Sequence, residues 1–205
     1  MNNGNSFNWN QQIFPKILRA AGYHTALYGK SHLKGNPQGF DSWAVLPGQG
    51  DYYNPALITP EGRKVVQGYC TDIVTDMAID FVKESKALGK PFMLMCQHKA
   101  PHRNWSPPPR HFSLYKGIDV PEPETLFDDY AGRSKLLREN EMSLKDHFFW
   151  GHDMKFHGES QYPDQFRPGL ANGEYRRMTD AQKAAWDAAY QPENEKFLQE
   201  MKAGK

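Results

Sequence analysis

Cysteine, charge imbalance and long apolar runs are what this sequence has least of. Two cysteines in 205 residues, Cys70 and Cys96, cannot make a disulfide framework. Cys96 sits in an apolar run and Cys70 just ahead of a helix pattern, so buried free thiols are expected rather than a bridge. A formal charge of +1, with no block of five like charges, excludes the basic footprint of a nucleic-acid or membrane-surface protein. Any anion must therefore be gripped locally. No apolar stretch approaches the roughly 20 residues that cross a bilayer, and Met1-Asn2-Asn3-Gly4-Asn5 has neither the basic nor the apolar region of a signal peptide. His147, His152 and His157 stand five apart, a spacing that does not stack on one helical face, and no cysteine accompanies them. Packing or a place on a substrate rim is expected there, not a metal site.

What is present suits a single globular unit with a sizeable core. Residues 1–12 are polar and read as a loop. Ile13, Phe14, Ile17, Leu18 and Ala21 recur at helical spacing, with Pro15 in the first turn and Gly22 as the stop. A strand follows at about residues 24–28. Residues 33–68, rich in glycine, proline and aromatics, read as a long surface loop with one short hairpin. The clearest helix spans 72–88 behind Thr71 as cap, with Ile73, Val74, Met77, Ala78, Phe81, Val82 and Leu88 on one face. Phe92-Met93-Leu94-Met95-Cys96 is then a continuous apolar run, the pattern of a strand buried on both faces of a parallel sheet.

Past residue 102, Pro107, Pro108, Pro109, Pro121 and Pro123 fix extended or turning backbone. Short helices are expected around Leu136, Leu137 and Met142. A last helix starts at Thr179, with Gln182 completing a capping box, and ends near Tyr190 before Pro192; a short polar helix then carries Phe197, Leu198 and Met201. The expected organisation is one domain over 1–205, with an α/β sheet part at 1–102 and a loop-rich helical part at 103–205.

Helix, strand and loop occur twice, and each unit closes on a lysine and a histidine: Lys30 and His32, then Lys99 and His102. Parallel strands joined by right-handed crossovers deliver their carboxyl ends to one edge, where open α/β sheets bind ligands. A cation can neutralise a sulfuryl or phosphoryl oxygen there, and an imidazole can move a proton near neutral pH. A surface lysine beside a loop histidine accounts for each pair equally well on spacing alone.

The words around these pairs are more specific. Gly22-Tyr23-His24-Thr25-Ala26-Leu27-Tyr28-Gly29-Lys30-Ser31-His32-Leu33 resembles the second signature of the formylglycine-dependent sulfatases. Phe14-Pro15-Lys16-Ile17-Leu18, Gly39-Phe40-Asp41, Pro47-Gly48-Gln49-Gly50-Asp51-Tyr52-Tyr53-Asn54-Pro55, His98-Lys99-Ala100-Pro101-His102-Arg103-Asn104-Trp105 and Leu126-Phe127-Asp128-Asp129-Tyr130 extend the likeness, which is greatest to the bacterial N-acetylglucosamine-6-sulfatases. The resemblance implies a partial alkaline-phosphatase-like fold: a mostly parallel sheet with flanking helices and a loop-rich C-terminal half. It implies a hydrated formylglycine nucleophile, a calcium ion held by carboxylates and an amide, and a sulfated carbohydrate substrate. It places Lys30 on the sulfate and the nucleophile and His32 at the breakdown of the sulfated intermediate. Lys99 and His102 share sulfate binding and protonation of the leaving oxygen, and Arg103, Trp105 and Tyr52 contact the sugar.

The departures are equally specific. No Cys-x-Pro-x-Arg or Cys-x-Ser-x-Arg occurs, because Cys70 precedes Thr-Asp-Ile and Cys96 precedes Gln-His-Lys. Neither the early aspartate pair of the family nor its later aspartate and amide is found. The sequence is therefore expected to be the middle of a longer, periplasmic or secreted enzyme, inactive alone and prone to association through exposed sheet edges. Two other functions stay open: a related alkaline-phosphatase-like phosphoesterase, and a non-catalytic sulfated-glycan-binding protein using Trp43, Trp105, Trp150 and Tyr52 as stacking surfaces.

Overall fold

The computed structural model describes residues 6–143, 147, 150–155 and 173–203. His157, the third of the spaced histidines, lies outside the described residues. Two compact units divide the chain, Met1–Ser106 and Pro107–Lys205.

In the first unit, α1 (Phe14–Ala20) leads into β1 (His24–Gly29), followed by β2 (Ser42–Val45), β3 (Ala56–Thr59), β4 (Gly62–Val65), α2 (Cys70–Ala87) and β5 (Phe92–Gln97). The strands form one sheet in the order β4-β3-β2-β1-β5. β1 pairs in parallel with both β2 and β5, whereas β2 with β3 and β3 with β4 are antiparallel. A mostly parallel sheet was expected; the antiparallel half comes from residues 33–68, where the hairpin β3–β4 and the short strand β2 replace most of the expected loop. Ser42–Val45 is four residues without polar alternation, so its pairing with β1 carries no signal in local periodicity.

Side chains alternate across β1, and each face carries its own core. Ala26 and Tyr28 pack with Ala44, Leu57 and the α2 residues Cys70, Val74, Ala78 and Phe81. Leu27 packs on the opposite face with Phe40, Trp43 and Val45. The strand buried along its whole length is β1. β5, expected to be that strand, is last in the sheet order, and so Phe92 is 45% exposed. Cys96 is exposed as well, which corrects the expectation of a buried thiol there; Cys70 is buried as expected.

The helix boundaries follow the pattern with two shifts. α2 begins at Cys70 behind Tyr69, which makes no side-chain cap bond, so Thr71 is not the cap. Leu88 lies past the end of the helix and is exposed, whereas Val74, Ala78 and Phe81 are buried as the spacing implied. In α1 only Pro15 is buried, and Phe14 and Ile17 stay exposed.

The second unit is loop-rich. A single 3-10 turn at Pro109–His111 and short helices at Lys135–Arg138, Trp150–Asp153 and Gly173–Arg177 precede a long one, Asp180–Lys202. The capping box forms: the Thr179 amide donates to Gln182 Oε1 at 2.8 Å, and the Gln182 amide donates to Thr179 Oγ1 at 3.3 Å. Pro192 lies inside this helix instead of ending it. A proline removes one helical hydrogen bond, and here the turns on either side continue through the gap. Met142, expected on a short helix, lies outside any helix and is exposed.

Candidate functional site

The register of β1 against β5 sets the site. Gly29 stands opposite Gln97, so the next residues of both strands leave the sheet side by side. Gly29 has φ +101, and a Cβ there would lie 1.9 Å from the Gln97 carbonyl oxygen. Only glycine permits that approach. The Lys30 amide then donates to the same Gln97 oxygen at 2.7 Å, which fixes where the Lys30 side chain departs.

Lys30 and Lys99 meet on one residue. Lys30 Nζ donates to Gln49 Oε1, and Lys99 Nζ donates to the Gln49 main-chain oxygen at 3.3 Å. Gln49 Nε2 lies 3.4 Å from His32 Nε2. Burial pushes the Lys30 ammonium below its ordinary pKa. Lys99 is buried, sits 4.6 Å from the centre of the Tyr52 ring, and also donates to the Arg103 oxygen at 3.4 Å. Two ammonium groups and an imidazole around one glutamine residue make a locally cationic, donor-rich spot at the strand ends, the arrangement an oxyanion requires.

His102 belongs to the same turn. Its amide donates to the Lys99 oxygen at 3.0 Å, its oxygen accepts from the Tyr52 hydroxyl at 2.6 Å, and its Nδ1 lies 2.7 Å from the Arg103 oxygen. A carbonyl only accepts, so Nδ1 carries a proton and Nε2 is the atom through which this imidazole can exchange one. His32 and Trp105 both adopt left-handed backbone, with φ 54 and 50, an uncommon state for side-chain-bearing residues.

Lys30, His32, Lys99 and His102 are thus placed at one sheet edge. The three expected sugar contacts fare differently. Trp105 is exposed and presents indole surface. Arg103 enters through its main-chain oxygen, which accepts from Lys99 and lies against His102. Tyr52 is 2% exposed; its ring supports Lys99 and its hydroxyl holds the His102 turn, so it has no face for a sugar. Trp43 is likewise core, and the Trp150 side chain falls outside the described residues. The residue that sequence reasoning missed is Gln49. Its only signal was its place in Pro47-Gly48-Gln49-Gly50, where glycines on both sides mark a tight turn.

Calcium does not fit this donor set. Two ammonium groups repel a cation, and among the described residues no three His, Cys, Asp or Glu side chains gather as metal ligands. Neither cysteine stands in a formylglycine motif: Cys70, buried at the head of α2, precedes Thr-Asp-Ile, and Cys96, exposed on β5, precedes Gln-His-Lys.

The sequence model described as Sulfatase matches residues 2–185. The chain is 44% identical over 192 residues to an N-acetylglucosamine-6-O-sulfatase of Bacteroides thetaiotaomicron, covering 92% of this chain and 34% of that protein. It is 31% identical over 123 residues to the uncharacterized sulfatase YdeN of Escherichia coli, covering 45% of this chain and 22% of that protein. Among solved structures, BT4656 in complex with its substrate D-glucosamine-2-N,6-O-disulfate is similar with a TM-score of 0.82 at 40% identity, covering 97% of this chain and 40% of that one. The chain therefore spans well under half the length of these relatives.

Proposed function

This chain belongs to the sulfatase family, and we propose that it supplies the sulfate-gripping and proton-moving side chains of a sulfuric ester hydrolase acting on the 6-O-sulfate of N-acetylglucosamine in sulfated glycans. Its mixed α/β sheet with flanking helices is part of the alkaline-phosphatase-like fold of the sulfatases. The observation that carries the proposal is the meeting of Lys30 and Lys99 on Gln49. Sulfuryl oxygens arriving there meet two preorganised ammonium groups, which stabilise the charge that develops at sulfur. His102, with Nδ1 held by the Arg103 oxygen, delivers a proton from Nε2 to the departing sugar oxygen. His32, whose Nε2 faces the Gln49 amide beside Lys30 and Lys99, would accept a proton at this edge.

Formylglycine and calcium are what the family generally uses, as nucleophile and as Lewis acid. Neither fits the described residues, and the chain alone is not expected to turn over an aryl sulfate. Exposed Trp105 is proposed to stack on the sugar. We propose that the working enzyme acts in the periplasm or outside the cell, where sulfated glycans are met.

Calorimetric titration of the chain with glucosamine 6-sulfate, glucosamine and glucosamine 6-phosphate tests the reading. Binding of the sulfated sugar alone, lost when Lys30 and Lys99 are both changed to alanine, is expected. Equal binding of sulfated and unsulfated sugar overturns the sulfate site, and preference for the phosphate points to a phosphoesterase.

A further inference from the structure

Gln49 is the residue on which two lysines meet, and its carboxamide also faces His32. Its orientation follows from chemistry. An ammonium group is a donor without acceptor capacity, so the atom facing Lys30 Nζ is the carboxamide oxygen. The amide nitrogen must then be the atom that lies 3.4 Å from His32 Nε2. That nitrogen can only donate, and a protonated Nε2 would set two donors against each other. Nε2 is therefore the lone-pair nitrogen, and the imidazole proton sits on Nδ1. Gln49 is itself anchored through its main-chain oxygen to Lys99 Nζ at 3.3 Å, and His32 holds a left-handed backbone with φ 54.

We infer that Gln49 is a positioning residue that holds His32 as its Nδ1–H tautomer by donating from its amide to the Nε2 lone pair. The inference deepens the sulfatase reading and rests on it for its catalytic meaning: a neutral His32 with its lone pair on Nε2 can take a proton there once the Gln49 amide yields it, which leaves His102 as the acid. A solvated imidazole favours the opposite tautomer, so the bond to Gln49 works against the ordinary preference. Gln49 touches neither the sugar nor a leaving group in this role; it acts through His32.

Two-bond proton–nitrogen correlation spectra of the 15N-labelled 205-residue chain at pH 8 test this, with His32 identified from a His32→Gln spectrum and from backbone connectivities. The native chain is expected to show the Nδ1–H pattern at His32. Gln49→Glu keeps the shape but removes the N–H, and it is expected to move the proton to Nε2 or to charge the ring. Gln49→Leu is expected to restore the Nε2–H form of a solvated imidazole. An Nε2–H pattern in the native chain, or an Nδ1–H pattern that survives in Gln49→Glu, overturns the inference. Sulfate titrated into the same sample separates the two readings. If the Lys30 and Lys99 side-chain signals do not move while the tautomer stands, the sulfate site is lost and the role of Gln49 is retained.

Discussion

Lys30 and Lys99 leave neighbouring parallel strands and donate to the same residue, one to the side chain of Gln49 and the other to its backbone. Because they share one partner, their contributions to anion binding should not add. Lys30→Ala and Lys99→Ala are each expected to weaken sulfate binding by roughly 10- to 100-fold, the scale of a charged hydrogen bond. The double variant should lose less than the product of the two. A double-mutant cycle read by calorimetry checks this, and strictly multiplicative losses would show that the lysines serve separate sites.

Gly29 is the backbone position on which the site depends. With φ +101 and the Gln97 oxygen 1.9 Å from the place of a Cβ, Gly29→Ala must part β1 from β5 or distort Lys30. A cost of at least about 3 kcal/mol is expected. Urea denaturation measures it, and a variant within about 0.5 kcal/mol of the native chain would show that this contact is looser than the structure gives.

On the α2 face of β1, His24 Nδ1 lies 2.8 Å from Ser85 Oγ, and that hydroxyl donates to the Phe81 oxygen at 2.7 Å. With its only hydrogen committed, Ser85 must accept from His24. Ser85→Ala leaves a buried imidazole N–H without that acceptor, at a cost of about 1–3 kcal/mol. Thermal unfolding of the variant checks the sign; an unchanged midpoint would mean that His24 finds another partner.

The parts of this architecture that read directly from sequence are those specified within one turn or one strand. The Thr179–Gln182 capping box, the Val74–Ala78–Phe81 face and the glycine before Lys30 each carry their signal in residue type and spacing. The misread parts depend on partners far along the chain. β2 has no periodicity of its own and exists because β1 lies beside it. Cys96 has the neighbours of a core residue, but β5 ends the sheet order. Tyr52 is an aromatic in a loop and so suggests a stacking surface, until His102 and Lys99, 50 and 47 residues on, close over it. Gln49 was invisible as a functional residue for the same reason: a glutamine between glycines says turn, and its three partners come from two other segments.

Lys155 is 6% exposed and donates to the main-chain oxygens of His152 at 2.9 Å and Asp153 at 3.1 Å. Burial pulls its pKa down to about 8, against the opposing pull of Asp153 and Glu174. The unfolded lysine keeps a pKa near 10.4. Below pH 8 both states hold the proton and stability does not change with pH through this group. Above pH 8 the folded chain loses the proton first, so the unfolded state binds more, and stability must rise with pH by up to about 1.4 kcal/mol per unit. The rise ends near pH 10, where the unfolded lysine also loses its proton, and Tyr190, pushed up to about 12 by burial, contributes in the opposite direction once unfolded tyrosine ionises near pH 10. Lys30, whose pKa burial also lowers, adds a contribution of the same sign, so the native curve alone does not isolate Lys155. Lys155→Met removes it: urea unfolding at half-unit steps between pH 7 and 10 should give a visibly flatter curve for the variant. Parallel curves for the two proteins would mean that the Lys155 ammonium stays protonated across this range and that its backbone acceptors fully offset its burial.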